Sequence, residues 1–292
     1  EPRLYTIQEM QLNNDKKKSF KTVFHFKDQK LIQIASKEYP NSILTDEANE
    51  DYALVYRTEP YQLSSQWTGQ FSKNDLAIVN VNNGVLKLAI KASPSPASLS
   101  PNGEYAFGYN QVDSTWYTYN IKTSKYTELT NGKMFYNELS DYPNHPRSYG
   151  AAGWTKNDKS ILIYDRYDIW EFNPETGSNK QLTKGREDQI SYRYVKLEPE
   201  VKHIPTNKKI LLNTFNESTK ESGYYEFDIK TSKGNQLLKG PFRYSSPKKA
   251  RSTDDLMFTR QSFEEFPDIR ISDLSFASEV VISDVNPQQS DY

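Results

Sequence analysis

Apolar and polar positions alternate with a period of two along most of this chain, in runs of four to seven residues separated by Gly, Pro, Asn, Asp and Ser. That pattern predicts short, half-buried β-strands. The clearest set begins at Leu99-Ser-Pro-Asn-Gly-Glu-Tyr-Ala-Phe, passes through Trp116-Tyr-Thr-Tyr-Asn-Ile and ends at Lys125-Tyr-Thr-Glu-Leu-Thr130. A Pro-Asn-Gly turn followed by alternating runs reads as a four-stranded antiparallel unit. The order of parts repeats from Gly153 to Thr183 and from Lys196 to Leu238, with Tyr117, Trp170 and Tyr225 matched at offsets of 53 and 55 residues. Repetition on that scale is expected when each copy is one blade of a β-propeller.

Extending the pattern gives an all-β propeller of about six four-stranded blades over residues 1–283, at 3–35, 42–90, 97–130, 149–183, 192–238 and 243–282, with an exit linker over 284–292. In the first blade Leu4-Tyr-Thr-Ile-Gln, Phe20–Phe26 and Leu31-Ile-Gln-Ile read as three strands. These are strands two to four and the first is missing, which predicts an incomplete blade belonging to a larger seven- or eight-bladed propeller. Asn82-Asn-Gly84 reads as a hairpin turn. Arg57 to Lys73 reads as a long loop, and residues 131–148 as a Pro-rich excursion; no long helix is predicted.

Composition narrows the function classes. The 37 Lys and Arg against 38 Asp and Glu argue against a nucleic-acid or anionic-membrane surface, which needs a basic excess. Three scattered histidines and no cysteine give no metal-ligand spacing, so neither a metal nor another cofactor is expected. No apolar run reaches the ~20 residues of a membrane helix, so no membrane insertion is expected. The absence of cysteine suits an oxidising compartment and is equally permitted in a cytosol. The 21 Tyr, 14 Phe and 4 Trp favour pleated, half-buried strands.

The blade phrase Leu99–Tyr105, the pair Gly153–Asp158 and Leu162–Trp170, Ser262-Phe-Glu-Glu-Phe-Pro-Asp-Ile269, and Asn286-Pro-Gln-Gln289 together resemble the propeller half of the prolyl oligopeptidase family of serine peptidases, dipeptidyl-peptidase-like bacterial members above all. The resemblance implies a periplasmic or secreted protein. It further implies a non-catalytic domain that admits short peptide substrates to a C-terminal α/β-hydrolase domain of the same polypeptide. This chain holds no such domain: none of its 12 glycines is followed two positions later by serine, so the Gly-x-Ser-x-Gly nucleophile elbow is absent and no catalytic residue is assigned. The alternative is a stand-alone propeller that resembles TolB and serves as a protein-binding scaffold.

Five residues are substrate-binding candidates. Glu264 and Glu265 are adjacent and flanked by Phe263 and Phe266, and the resemblance implies propeller glutamates that hold a substrate's free amine. Neighbours on a strand point to opposite faces, so both reach one ammonium only from a loop, where carboxylates also stay solvated. Asp165, Arg166 and Asp168 lie in a tight charged hairpin that either contacts substrate or forms a local ion pair that holds the turn. Trp67, in the long loop, is a candidate contact for a partner domain. Trp154 and Trp170 read as packing between blades, and Lys16-Lys-Lys18 as a solvated hairpin tip.

Overall fold

The computed structural model describes residues 4–68, 73–245 and 247–288. Strands dominate, in six antiparallel sheets among the described residues. The first sheet pairs β1 (Thr22–His25) with β2 (Lys30–Gln33). The second runs β3 (Asn41–Ile43), β4 (Tyr52–Arg57), β5 (Asn74–Asn80) and β6 (Leu86–Ser93), and the third β7 (Ala97–Leu99), β8 (Tyr105–Asn110), β9 (Thr115–Asn120) and β10 (Tyr126–Glu128). β11 (Ala151–Trp154), β12 (Ile161–Tyr164), β13 (Ile169–Phe172) and β14 (Asn179–Gln181) make the fourth; β15 (Ile190–Val195), β16 (Ile210–Asn216), β17 (Ser222–Asp228) and β18 (Lys233–Gly240) make the fifth. The last sheet holds β19 (Arg243–Tyr244), β20 (Lys248–Lys249), β21 (Leu256–Gln261), β22 (Asp268–Ser272) and β23 (Val280–Val281), with both β19 and β20 on β21. The middle sheets are simple meanders in chain order, the unit of which propellers are built.

The chain divides into two compact units. One comprises Glu1–Ser148 with Asn157–Lys159 and Phe172–Ser178. Within it Ala53, Val55, Ala77 and Val79 pack on Ile32 of the first sheet. Leu54, Leu76 and Ile78, on the opposite face of the same strands, pack on Ala97, Ala106 and Tyr119 of the third. Both faces of the second sheet are thus buried, which explains why β4 and β5 are continuous apolar runs rather than alternating ones. The other unit comprises Tyr149–Lys156, Ser160–Glu171 and Asn179–Tyr292. There Leu162, Tyr164 and Ile169 meet Ile210, Leu212 and Phe227, and Leu211 and Tyr224 meet Tyr244, Leu256, Phe258 and Phe276.

Asn82-Asn-Gly84 closes the β5–β6 hairpin as expected, with Gly84 at φ 74° and its N–H on the Asn80 carbonyl. The reading of the first residues is corrected. Leu4–Gln8 is not a strand: Tyr5–Lys16 forms helix α1. Its Gln, Glu, Met and Leu are strong helix formers, and the Leu4 carbonyl accepts from both Ile7 and Gln8. Lys16-Lys-Lys18 accordingly ends a helix, where cations complement the macrodipole, rather than tipping a hairpin. The Arg57–Lys73 connection holds a second helix, α2 (Glu59–Thr68). Thr58 precedes it, its carbonyl taking the Tyr61 N–H and its hydroxyl the Gln62 side-chain amide, and Pro60 fits a first turn that needs no donor. Tyr61 anchors α2 to the second sheet by donating to the buried Asp75 at 2.6 Å.

Candidate functional site

Between β12 and β13 the chain reverses in four residues, Asp165–Asp168, and the sequence dictates how. The Asp165 N–H donates to the Asp168 carbonyl at 3.0 Å, and the Asp165 carboxylate folds back to take the N–H of Tyr167 at 2.8 Å and of Asp168 at 2.5 Å on Oδ1. This is the Asx-type turn that aspartate favours. Its second oxygen accepts from the Trp170 indole at 3.1 Å and lies 3.5 Å from Arg186. Trp170 is therefore half-buried and hydrogen-bonded, whereas Trp154, at 2% exposure, is a packing residue as expected.

Asp168 is fully buried and accepts from the Gly185 N–H at 2.6 Å, Thr183 Oγ1 at 2.8 Å and Gln181 Nε2 at 3.0 Å. Burial pushes its carboxyl above the usual carboxylate range, and the neighbouring Asp165 adds to the rise. Asp165 thus spends one oxygen on the turn itself, while Asp168 ties the turn to the chain at residues 181–185.

Arg166 points away from that network. Its guanidinium pairs with Glu217, in the turn after β16, at 2.5 Å and 3.3 Å, and the Tyr167 hydroxyl donates to the same carboxylate at 2.8 Å. Hydrogen bonds from Arg166 first and Tyr167 second hold Glu217 below the usual range against the opposing effect of burial. The Arg166 and Arg186 guanidiniums lie 5.0 and 5.2 Å from the Tyr167 ring centroid. Underneath, Arg193 donates to the carbonyls of Arg166 at 2.8 Å, Asp165 at 3.1 Å and Tyr192 at 2.8 Å, over the Tyr164 ring. Burial lowers its pKa, against the opposing pull of Tyr164 and Asp165. The solvent-facing chemistry is two guanidiniums, Arg166 and Arg186, beside one carboxylate.

The structure separates Glu264 from Glu265. Glu264 is exposed in the β21–β22 hairpin. Glu265 is held by Arg260 at 2.8 and 2.9 Å and by Arg270 at 2.5 Å, while Glu279 pairs with Arg270. The Arg260 bond first, with both charges, sets Glu265 below the usual range. Trp67 stands on α2 at 75% exposure. Asn286 and Gln288 fall inside the described residues, and Gln289 outside them. Arg186, Arg193, Glu217, Arg260 and Arg270 escaped sequence reading. Glu217 is 51 residues from its partner, and only the hairpin register could have pointed to the pairing of Arg260 with Glu265.

No family model and no curated protein matches the sequence. Solved structures do. A protein assigned as dipeptidyl aminopeptidase IV from Bacteroides ovatus matches at 12% identity and a TM-score of 0.51, over 90% of this chain and 46% of its own. Dipeptidyl peptidase 4 from Porphyromonas gingivalis matches at 9% identity and a TM-score of 0.51, over 92% of this chain and 46% of its own. The likeness shows the fold alone, that of the part of these proteins which the chain covers. The chain spans less than half the length of these proteins. A TolB protein from Agrobacterium tumefaciens matches at 14% identity over 90% of this chain and 88% of its own, at a TM-score of 0.38 that carries no argument.

Proposed function

We propose that this chain is the propeller domain of a prolyl-oligopeptidase-family serine peptidase, about six blades of a larger ring, which gates access of short peptides to a hydrolase domain of the same polypeptide. One observation carries the reading: about nine-tenths of the chain superposes on two dipeptidyl peptidases while covering 46% of each, and no nucleophile elbow lies within it. Selection by a propeller is steric and needs no bond-making residue here. In this reading Glu264 and the Arg166–Glu217 pair meet peptide termini or carbonyls, Asp165 and Asp168 hold the turn that presents Arg166, and Trp67 meets the partner domain. The protein works in the periplasm or outside the cell.

Labelling the natural gene product with a serine-directed phosphonate tests the proposal. The expected result is a polypeptide longer than this chain with one labelled serine outside residues 1–292. A product that labels nowhere and cleaves no dipeptidyl or prolyl substrate overturns it and favours the scaffold reading.

A further inference from the structure

Asparagine precedes glycine three times in this chain, at Asn83-Gly84, Asn102-Gly103 and Asn131-Gly132. All three glycines have positive φ, at 74°, 67° and 75°, a conformation that costs glycine nothing. Glycine also leaves its own peptide nitrogen sterically open, because no Cβ shields it from the side-chain amide carbon of the residue before. Asn-Gly is for that reason the pair in which an asparagine side chain most readily closes a five-membered ring on the backbone. In a folded protein the closure further requires that the glycine N–H be free and that the peptide unit between the two residues be able to turn.

Two of the three pairs are held. The Gly84 N–H donates to the Asn80 carbonyl at 2.8 Å, and Asn83 Oδ1 accepts from the Val85 N–H at 2.9 Å. The Gly103 N–H donates to the Ser100 carbonyl at 2.9 Å, and the Asn102 N–H to the Asp158 carboxylate at 3.0 Å. Gly103 is also buried, where a Cβ would stand 3.0 Å from the Glu50 side chain. The third pair differs at every point. Asn131 and Gly132 are exposed, and a Cβ on Gly132 would meet nothing within 4 Å. Among the described residues no hydrogen bond reaches the Gly132 N–H, the Asn131 carbonyl or the Asn131 side chain. The turn is closed around them, with the Lys133 N–H on the Thr130 carbonyl at 3.1 Å, and glycine with this φ in third place suits a type II turn. Its middle peptide unit is thus free to rotate while both ends stay fixed.

We propose that Asn131 is a site of spontaneous deamidation in the folded protein, with water as the only co-reactant. The Gly132 nitrogen gives up its proton to base and attacks Cγ of Asn131. The new N–Cγ bond forms as the Cγ–Nδ2 bond breaks, and Nδ2 leaves with a proton as ammonia. Water then opens the succinimide: cleavage between the ring nitrogen and Cγ gives aspartate, and cleavage between that nitrogen and the main-chain carbonyl carbon gives isoaspartate. Either product adds a negative charge where residues 131–148 leave the third sheet, and isoaspartate adds one carbon to the backbone there. The site is independent of any hydrolase domain, so its failure would leave the peptidase reading untouched.

Incubating the 292-residue protein at mildly alkaline pH, then mapping its peptides by mass and separating the aspartate and isoaspartate isomers, tests this. Position 131 should convert first. Positions 83 and 102 should convert about 10-fold more slowly, since each must first break a backbone hydrogen bond. The same incubation in concentrated urea should bring the three rates together, because the protection belongs to the folded state. Asn131→Gln, which cannot close the five-membered ring, should stay unconverted at 131 and leave the other two rates unchanged. Conversion at 83 or 102 as fast as at 131 in the folded protein would overturn the proposal. So would a rate order in urea identical to that in the folded protein, since sequence and not structure would then set it.

Discussion

Ser100 Oγ donates a 2.5 Å hydrogen bond to Oδ2 of the buried Asp158, across 58 residues of chain. The same carboxylate takes the backbone N–H of Asn102 at 3.0 Å and of Glu104 at 3.4 Å, so one side chain fastens the whole Pro-Asn-Gly turn that opens β8. Asp158→Ala should lower stability by about 3 kcal/mol, since it strands the buried Ser100 hydroxyl and two part-buried backbone N–H groups that had a carboxylate acceptor. Urea melts of the two proteins would measure it. A loss under about 1 kcal/mol would mean that water replaces the carboxylate.

Glu265 makes acid stability a readout of the Arg260–Glu265–Arg270 network. A carboxylate whose folded pKa is depressed contributes stability that is present above its unfolded value, about 4.3, and is lost as pH falls through the folded value. Glu265→Gln should therefore cost about 1–3 kcal/mol at neutral pH, because Arg270 keeps a charge but loses a partner in a mostly buried site. The variant should also show a flatter decline in melting temperature below pH 4.5. Parallel pH profiles of the two proteins would remove this role from Glu265.

The two tryptophans of the fourth sheet should separate. Trp154→Ala should destabilise by about 3–5 kcal/mol, as for a large ring removed from a packed interior. Trp170→Phe keeps most of the half-buried surface, loses the indole bond to Asp165, and should cost only about 1 kcal/mol. Equal losses in denaturant melts would show that Trp170 packs more tightly than it is drawn here.

Gly223, in β17, has no room for a side chain: a Cβ would stand 1.9 Å from the Leu238 carbonyl oxygen. Gly223→Ala should cost 2 kcal/mol or more, about the scale of overpacking a well-packed site. A thermal shift is the simplest check, and an unchanged midpoint would require β18 to move aside freely.

The sheets were legible because their information is local. Alternation in Trp116–Asn120 and Tyr105–Asn110, and the turn residues between them, state strand, face and hairpin within about 20 residues. The helices were missed for a different reason. α1 buries no residue, so it leaves no apolar stripe to read, while α2 carries a start signal, Thr58-Glu-Pro, inside a segment whose polar composition reads as loop. The candidate site was half legible. Asp165, Arg166 and Asp168 announce a charged reversal, yet Arg166 acquires its meaning from Glu217 and the reversal a second hold from Arg193. Neither pairing leaves a trace in sequence spacing, because each depends on which strands the fold sets side by side.

Arg193 holds that reversal by its main-chain carbonyls and not by its side chains. Part of what fixes the loop's shape thus sits in a different sheet from the loop's own chemistry. Arg166 can then be exchanged for another residue without dismantling the bend that displays it, so a new surface specificity can be tried there one substitution at a time. Position 193 has no such freedom, and lysine, with a single ammonium in place of a flat fork, would not reproduce its spread of donors.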